Sequence, residues 1–328
     1  MARLPSPDRT PAPQFSAPTS ASGPRTNLLT YNLWKMSTKD NWLYVNDHSV
    51  VMKKSVNTKV FVQKISRAYG WNPSMRNERS ILQQLDHKHV VKLFLDRPGS
   101  QPPTDNLDLE FINGSDLSRL RTVEGYCKLE IVPLIQLLRN LPEVIQYLFK
   151  QKVEHNDLKP EKILMTRRGI KVVDFELAKI GKDHANPVYA GSPGYVQPGL
   201  MRGSSPVQWP GKRDVYALGI ICLFALRLIK LPKPDLFTIS KIDVDGPDRE
   251  KMDEWLGHIS TIKTELPHNL ELIKRTLTRH PNERVDSTEL VAKDYSFNRS
   301  HLRGVIDKAL KLRSKNKTHG SGGDSEEV

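Results

Sequence analysis

The sequence predicts an α+β protein of two lobes: a small antiparallel β-sheet lobe carrying one helix, then a larger, mainly helical lobe, with a cleft between them. Three observations carry that expectation. Short runs rich in Val, Phe and Tyr crowd between Trp42 and Ile65, a capped helical segment opens at Asn72-Pro73, and beyond Asn113-Gly114 the apolar residues recur mostly at helical spacing. With 328 residues, 38% of them hydrophobic, the chain has enough apolar mass to bury such a core.

Residues 1–26 are Pro, Ser, Ala and Thr with almost no large apolar side chain, a composition that predicts a disordered tail. Ser6-Pro7 and Thr10-Pro11 offer sites for Pro-directed phosphorylation there. The first lobe is expected over 27–112. In it Trp42-Leu-Tyr-Val, Ser49-Val-Val-Met and Lys59-Val-Phe-Val-Gln-Lys-Ile read as a meander, separated by Asn46-Asp47-His48 and Ser55-Val56-Asn57-Thr58. Asn72 is an N-cap and Pro73 a first-turn Pro, followed by Met75, Ile81, Leu82 and Leu85 on one face. Val90–Leu95 and Leu107–Ile112 read as further strands. The second lobe is expected over 113–299, with helices at Ile131–Lys150, Val215–Leu228 and Leu270–Leu277. Residues 300–328 read as a tail, basic at Lys308, Lys311, Arg313, Lys315 and Lys317 and acidic at its end, with a solvated helix end as the plain reading of the basic part.

Fifty Lys and Arg against 37 Asp and Glu leave a net charge of +13, which favours anionic partners. Two cysteines, Cys127 and Cys222, cannot make a disulfide framework, and the second sits in an apolar run. The longest such run, Ala217–Leu226, is too short to span a bilayer, and the Pro- and Ser-rich start lacks the apolar stretch of a secretory signal. These features predict an intracellular protein, cytoplasmic or nuclear, with no membrane contact.

The chemistry concentrates in His155-Asn-Asp157-Leu-Lys159-Pro-Glu-Lys162-Ile-Leu164 and in Ile170-Lys-Val-Val-Asp174-Phe175-Glu176. An Asp in a Pro-containing loop, a Lys two residues on, and a second Asp after a Val-rich strand suit phosphoryl transfer. One carboxylate orients a hydroxyl, a cation faces the phosphoryl group, and the other carboxylate holds a metal ion against the phosphates. By itself Lys64 would read as a snorkelling strand lysine and Glu78 as a solvated helix residue.

Taken together, these segments resemble the eukaryotic-type protein kinases, on the serine/threonine side, over roughly residues 42–297. Phe61-Val62-Gln63-Lys64 resembles the third strand, whose Lys touches phosphates and pairs with a helix Glu, here Glu78. Leu109-Glu110-Phe111-Ile112-Asn113-Gly114 resembles the interlobe hinge, and the resemblance implies that the Glu110 carbonyl and Ile112 amide meet the adenine edge. Val62 and Leu164 would then sandwich the ring, and His155, Phe175 and Leu82 would pack as apolar spines. Gly191-Ser-Pro-Gly-Tyr-Val-Gln-Pro198, Asp214-Val-Tyr-Ala-Leu-Gly219 and His280-Pro-Asn-Glu-Arg284 match the substrate loop, the helix that anchors the catalytic loop, and the late Arg motif. The implied fold is the two-lobed protein-kinase-like one. Asp157 and Lys159 carry the catalytic roles, Asp174 the metal, and Lys64, Glu78, Val62, Glu110, Ile112, Leu164 and Lys162 the nucleotide.

The departures are as definite as the matches. No Gly occurs between Pro24 and Tyr69, so the family's phosphate-covering Gly-rich loop is missing. The catalytic-loop Asn that holds a second metal ion is Lys162, which has no acceptor, so Lys162 reads either as a phosphate contact or as a degraded position. Glu176 stands where the family has Gly after the metal-binding Asp. Gly199 replaces the Glu that pairs with the Arg at 284, and Asn156 replaces the Arg before the catalytic Asp, which argues against control by a phosphate on the activation loop. The implied cofactors are ATP and Mg2+, one ion rather than two. The expected function is atypical or reduced transfer of the ATP γ-phosphate to protein Ser/Thr; the alternative is an inactive pseudokinase that binds a partner. Either way the expected partner is a protein, anionic or Ser/Thr-bearing. Nucleic acid is not expected, because no aromatic-basic platform for stacking bases accompanies the charge.

Overall fold

The computed structural model describes residues 41–45, 49–67, 72–94, 106–181, 191–198, 211–239, 246–292 and 299–319, with the side chains of 310–319 left out. The N-terminal segment with Ser6 and Thr10, the turn Asn46-Asp47-His48, Gly199 and the end of the chain lie outside these residues.

Alternating apolar residues build the first sheet, β1 (Trp42–Val45), β2 (Ser49–Val56), β3 (Lys59–Ser66) and β4 (Asn106–Glu110), antiparallel in the order β1-β2-β3-β4. The turn between β2 and β3 is Asn57-Thr58, both residues left-handed with φ of 48° and 68°, which is the twist a two-residue hairpin demands. Helix α1 (Pro73–Leu82) starts as its sequence dictates: the Asn72 side chain accepts from the Met75 amide at 3.2 Å, and Pro73 fills the first turn. It buries Met75, Glu78, Ile81 and Leu82.

The second lobe carries β5 (Ser115–Asp116), α2 (Ile131–Lys150), β6 (Val153–Glu154), β7 (Ile163–Thr166), β8 (Gly169–Val172) and β9 (Lys179–Ile180). These strands form two small sheets, β5-β7-β8 and β6-β9, which hold the segments that flank the cleft. Helices α3 (Lys212–Ala225), α4 (Pro247–Glu265), α5 (Glu271–Thr276), α6 (Glu289–Ala292) and α7 (Arg299–His319) follow. All but one residue of α3 is buried, so this helix is the axis of the lobe, with α2 and α5 packed on it. Gly219 permits the approach of α5: a Cβ there would lie 2.7 Å from Leu277 and collide with Thr276.

The two-lobed α+β architecture is as the sequence predicts, and α2 spans the expected residues. Besides short unforeseen pieces such as α6, β5, β6 and β9, three longer segments differ. Val90–Leu95 is not a regular strand: its described part is divided between the two lobes, Val90 bridging to Val172 while Leu93 bridges to Leu109. The Phe94 amide donates to the Asp108 carbonyl at 2.8 Å and the Glu110 amide to the Lys92 carbonyl at 2.9 Å, so only a short stretch lies along the edge of β4. Helix α4 is absent from the expected elements, although Gly246-Pro247 and Met252, Trp255, Ile259 and Ile262 carry its signal. Residues 299–319 are helix, and this helix buries Leu302, Val305, Ile306 and Ala309, an i, i+3, i+4, i+7 stripe, against the core, so the expected tail is packed structure over that stretch. Among the described residues no helix is long and apolar enough to cross a membrane.

Candidate functional site

Strand β3 delivers Lys64 to the cleft, and α1 brings Glu78 under it. The Lys64 ammonium lies 2.7 Å from Glu78 Oε2, 2.8 Å from Asp174 Oδ1 and 2.8 Å from Glu176 Oε1, and its side chain is 6% exposed. Glu78 is fully buried, and its other oxygen accepts the Phe175 amide at 2.9 Å. The Asn77 amide group donates to the carbonyls of Glu176 at 3.1 Å and Ala178 at 2.8 Å, which fastens α1 to the segment after Asp174. Asp174 itself sits at φ 68°, a left-handed turn that an Asp tolerates and that directs its carboxylate between the lobes.

From the other side, the turn at Pro160–Lys162 aims Lys162 at both aspartates. Its ammonium is 2.5 Å from Asp174 Oδ2 and 2.8 Å from Asp157 Oδ2. Lys159 donates to the Ser192 hydroxyl at 2.6 Å, and that hydroxyl donates to Asp157 Oδ1 at 2.8 Å. The loop carrying Asp157 is pinned from below, because the His155 and Asn156 amides donate to Asp214 at 2.7 and 3.0 Å. Asp214 therefore meets loop amides, as expected of it, and burial beside Glu154 pushes its carboxyl up to about 7. His155 packs against Phe175 with ring centroids 4.7 Å apart, and burial, aided by Lys162, pushes its imidazole down to about 4.

Four charges in the cleft are strongly held, whereas burial pushes the Glu78 carboxyl above its ordinary value in spite of Lys64. Burial disfavours the Lys64 ammonium, but Glu78, Asp174 and Glu176 outweigh it and keep Lys64 above its ordinary value. Lys162 is raised likewise, with burial again opposing and Asp174 and Asp157 prevailing. Asp174 and Asp157 are both held below the usual carboxylate range, because the neighbouring lysines overcome the burial that would raise them. Hence all four groups are charged at neutral pH.

Among the described residues, Glu78, Asp174 and Glu176 present carboxylate oxygens within 4.8 Å of one another, a spacing suited to a cation. Lys64 already binds an oxygen of each, and Lys162 holds the remaining oxygen of Asp174. A divalent ion at Asp174 would have to evict an ammonium, so the residues as arranged do not fit the metal expected there.

The apolar and hinge candidates occupy the cleft's borders. Val62 lies on β3 opposite Leu109, Leu164 on β7 opposite Asp116, Glu110 ends β4 and Ile112 follows it. The Glu110 carboxylate pairs with Lys171 of β8, which also donates to the Val90 carbonyl at 3.1 Å and so ties strand β4 to the second lobe. Sequence reasoning misses three functional placements. Ser192 reads in sequence only as part of a loop motif, although it is the hydroxyl that joins Lys159 to Asp157. Glu176 reads as a lost Gly, although its carboxylate is a ligand of Lys64. Gln197 does not stand out at all, although its Oε1 accepts from Arg284 at 2.6 Å and so serves the Arg whose usual carboxylate partner is absent. No spacing rule in the sequence signals these three, since each depends on a contact across the fold.

The protein kinase domain profile matches residues 44–296. A probable serine/threonine-protein kinase of Dictyostelium discoideum is 30% identical over 220 residues, 65% of this chain and 29% of the relative. CBL-interacting protein kinase 17 of Oryza sativa subsp. japonica is 28% identical over 232 residues, 67% of this chain and 47% of the relative. Human calcium/calmodulin-dependent protein kinase type IV is 27% identical over 182 residues, 54% of this chain and 34% of the relative. The chain thus spans less than half the length of these relatives. Since the profile runs through β1 to α6 and contains every charged group of the cleft, the protein belongs to the eukaryotic-type protein kinase family.

Proposed function

We propose that the protein is an atypical serine/threonine protein kinase, in which the cleft holds ATP and Asp157 orients a substrate hydroxyl. The family generally uses ATP with a divalent metal ion and acts on protein substrates. In this reading the Ser/Thr oxygen forms a bond to the γ-phosphorus as the bond to the β–γ bridging oxygen breaks, and ADP leaves with that oxygen. The hydroxyl proton passes to Asp157, and Lys159 steadies the moving phosphoryl group. The Glu110 carbonyl and Ile112 amide would receive the adenine edge, with Val62 and Leu164 on the ring's two faces. The substrate is a Ser/Thr-bearing protein, and two free, buried cysteines suit a reducing, intracellular setting.

The observation that carries this reading is the convergence of Asp157, Lys159, Ser192 and Asp174, linked by short polar contacts through Lys162, on a loop anchored by Asp214. Asp157→Asn tests it: transfer of labelled γ-phosphate to a generic Ser/Thr-rich protein should fall by roughly 10²- to 10⁴-fold while nucleotide binding stays. Transfer equal to wild type would remove Asp157 from the mechanism. A second reading, an inactive scaffold, is favoured by the missing Gly-rich loop and by Lys162; it predicts no transfer by the wild type at any metal concentration.

A further inference from the structure

An ammonium has three N–H donors and no acceptor. In Lys64 all three have partners, the carboxylates of Glu78, Asp174 and Glu176 at 2.7, 2.8 and 2.8 Å. Lys64 therefore has no donor to spare for a phosphate while this cluster stands. Lys162 differs. Its ammonium meets Asp174 at 2.5 Å and Asp157 at 2.8 Å, which leaves one N–H uncommitted among the described residues. It also bridges the two aspartates that face the reacting groups, where a bound cation would serve, and it arrives on a short turn whose backbone is fixed by Lys162 N to Lys159 O at 2.9 Å. Both oxygens of Asp174 are thus already bound to protein cations.

We infer that Lys162 is the phosphate-binding cation of this cleft and that the site takes a nucleoside triphosphate free of divalent metal, with Lys64 turned into an internal support. The inference rests on the nucleotide-cleft reading above. Glu176 completes the exchange of roles: by adding a third carboxylate it holds Lys64 in place, while Lys162 supplies the charge that a metal ion would otherwise bring to the phosphates. The protein's +13 charge favours the approach of an uncomplexed polyphosphate.

The experiment titrates ATP into the full chain by calorimetry, in EDTA and in excess Mg2+, for wild type, Lys162→Asn, Lys162→Met and Glu176→Gly. The wild type is expected to bind ATP in EDTA with an affinity that Mg2+ does not improve. Lys162→Asn, which gives the loop a neutral side chain with an acceptor, should bind roughly 10- to 100-fold more weakly in EDTA and recover in Mg2+. That recovery also reports an intact fold, and Lys162→Met, which frees the same aspartate oxygens but adds no acceptor of its own, should show the loss with a smaller recovery. Glu176→Gly, which frees a donor on Lys64, should bind in EDTA at least as well as wild type. Wild-type binding seen only with Mg2+, or Lys162 variants that bind as wild type does in EDTA, would overturn the inference and leave the nucleotide cleft standing. No ATP binding under either condition would overturn both.

Discussion

The cleft and the base of the second lobe both depart from the family's charged positions, and they compensate in opposite ways. In the cleft, an added cation and an added anion come as charges: Lys162 is met by Asp157 and Asp174, and Glu176 by Lys64. At the base, Arg284 keeps its buried place with neutral partners. It donates to Gln197 Oε1 and the Lys212 carbonyl at 2.6 Å and to the Thr278 carbonyl at 2.9 and 3.0 Å, and its guanidinium lies 5.1 Å from the Tyr216 ring centroid. Burial accordingly pulls Arg284 down to about 10. A planar five-donor guanidinium can be satisfied by carbonyl dipoles that a rigid scaffold holds ready, whereas point charges crowded around a cleft need counter-charges. The difference separates a cation satisfied by neutral dipoles from cations satisfied by carboxylates.

Removing the cation from the first region should have the largest effect. Lys64→Met leaves Glu78, Asp174 and Glu176 crowded together without their shared partner, and denaturant unfolding should reveal a loss of about 3–5 kcal/mol. A loss below about 1 kcal/mol would mean that the carboxylates simply protonate or part, and the cleft would then be no more charge-locked than the base.

His155, which lies between the regions, gives the next effect through pH. Its folded value of about 4 lies below the ordinary 6.5, so between those values the unfolded chain binds the extra proton. Stability should therefore fall as pH drops from 6.5 toward 4, by on the order of 3 kcal/mol. Asp214, raised from 3.8 to about 7, acts with the opposite sign over that range, since the folded form keeps a proton the unfolded form loses. Subtracting the pH profile of His155→Leu from that of wild type isolates the histidine, and a flat difference would contradict its buried, neutral state.

At the base, Gln197→Glu supplies the missing carboxylate 2.6 Å from Arg284 with little change in shape. We expect a gain of about 1–2 kcal/mol in thermal or chemical unfolding near neutral pH. A destabilised variant would show that the carbonyls around Arg284 already satisfy it so fully that a buried anion only adds desolvation cost. The smallest expected change is Asn77→Ala, which removes the bonds to the Glu176 and Ala178 carbonyls and should cost about 1 kcal/mol. Hydrogen exchange at α1 would rise with it if this contact is what fastens the helix.

Local rules make much of this molecule legible. The alternating residues of β2 and β3, the Asn72 cap with Pro73, and the apolar face of α2 are each written within a few residues, and the structure keeps them. The order of Lys64, Glu78, Asp157, Lys159 and Asp174 announces a phosphoryl-transfer cleft, because five charged residues of the right types rarely fall in that order and spacing unless a shared chemistry requires them. The segment Val90–Leu95 misleads because a short, mostly apolar run looks alike in a regular strand and in a stretch that pairs only through isolated bridges. The sequence by itself thus determined the lobes, the family and most of the charges of the cleft, Glu176 excepted. Tertiary structure alone decided that Lys64 spends its donors on three carboxylates, that Ser192 joins Lys159 to Asp157, and that Gln197 serves Arg284 across 87 residues of sequence. Residue types and spacing fix what a side chain can donate or accept, but which partner it meets depends on distances of a few ångströms between segments that only the packed fold brings together.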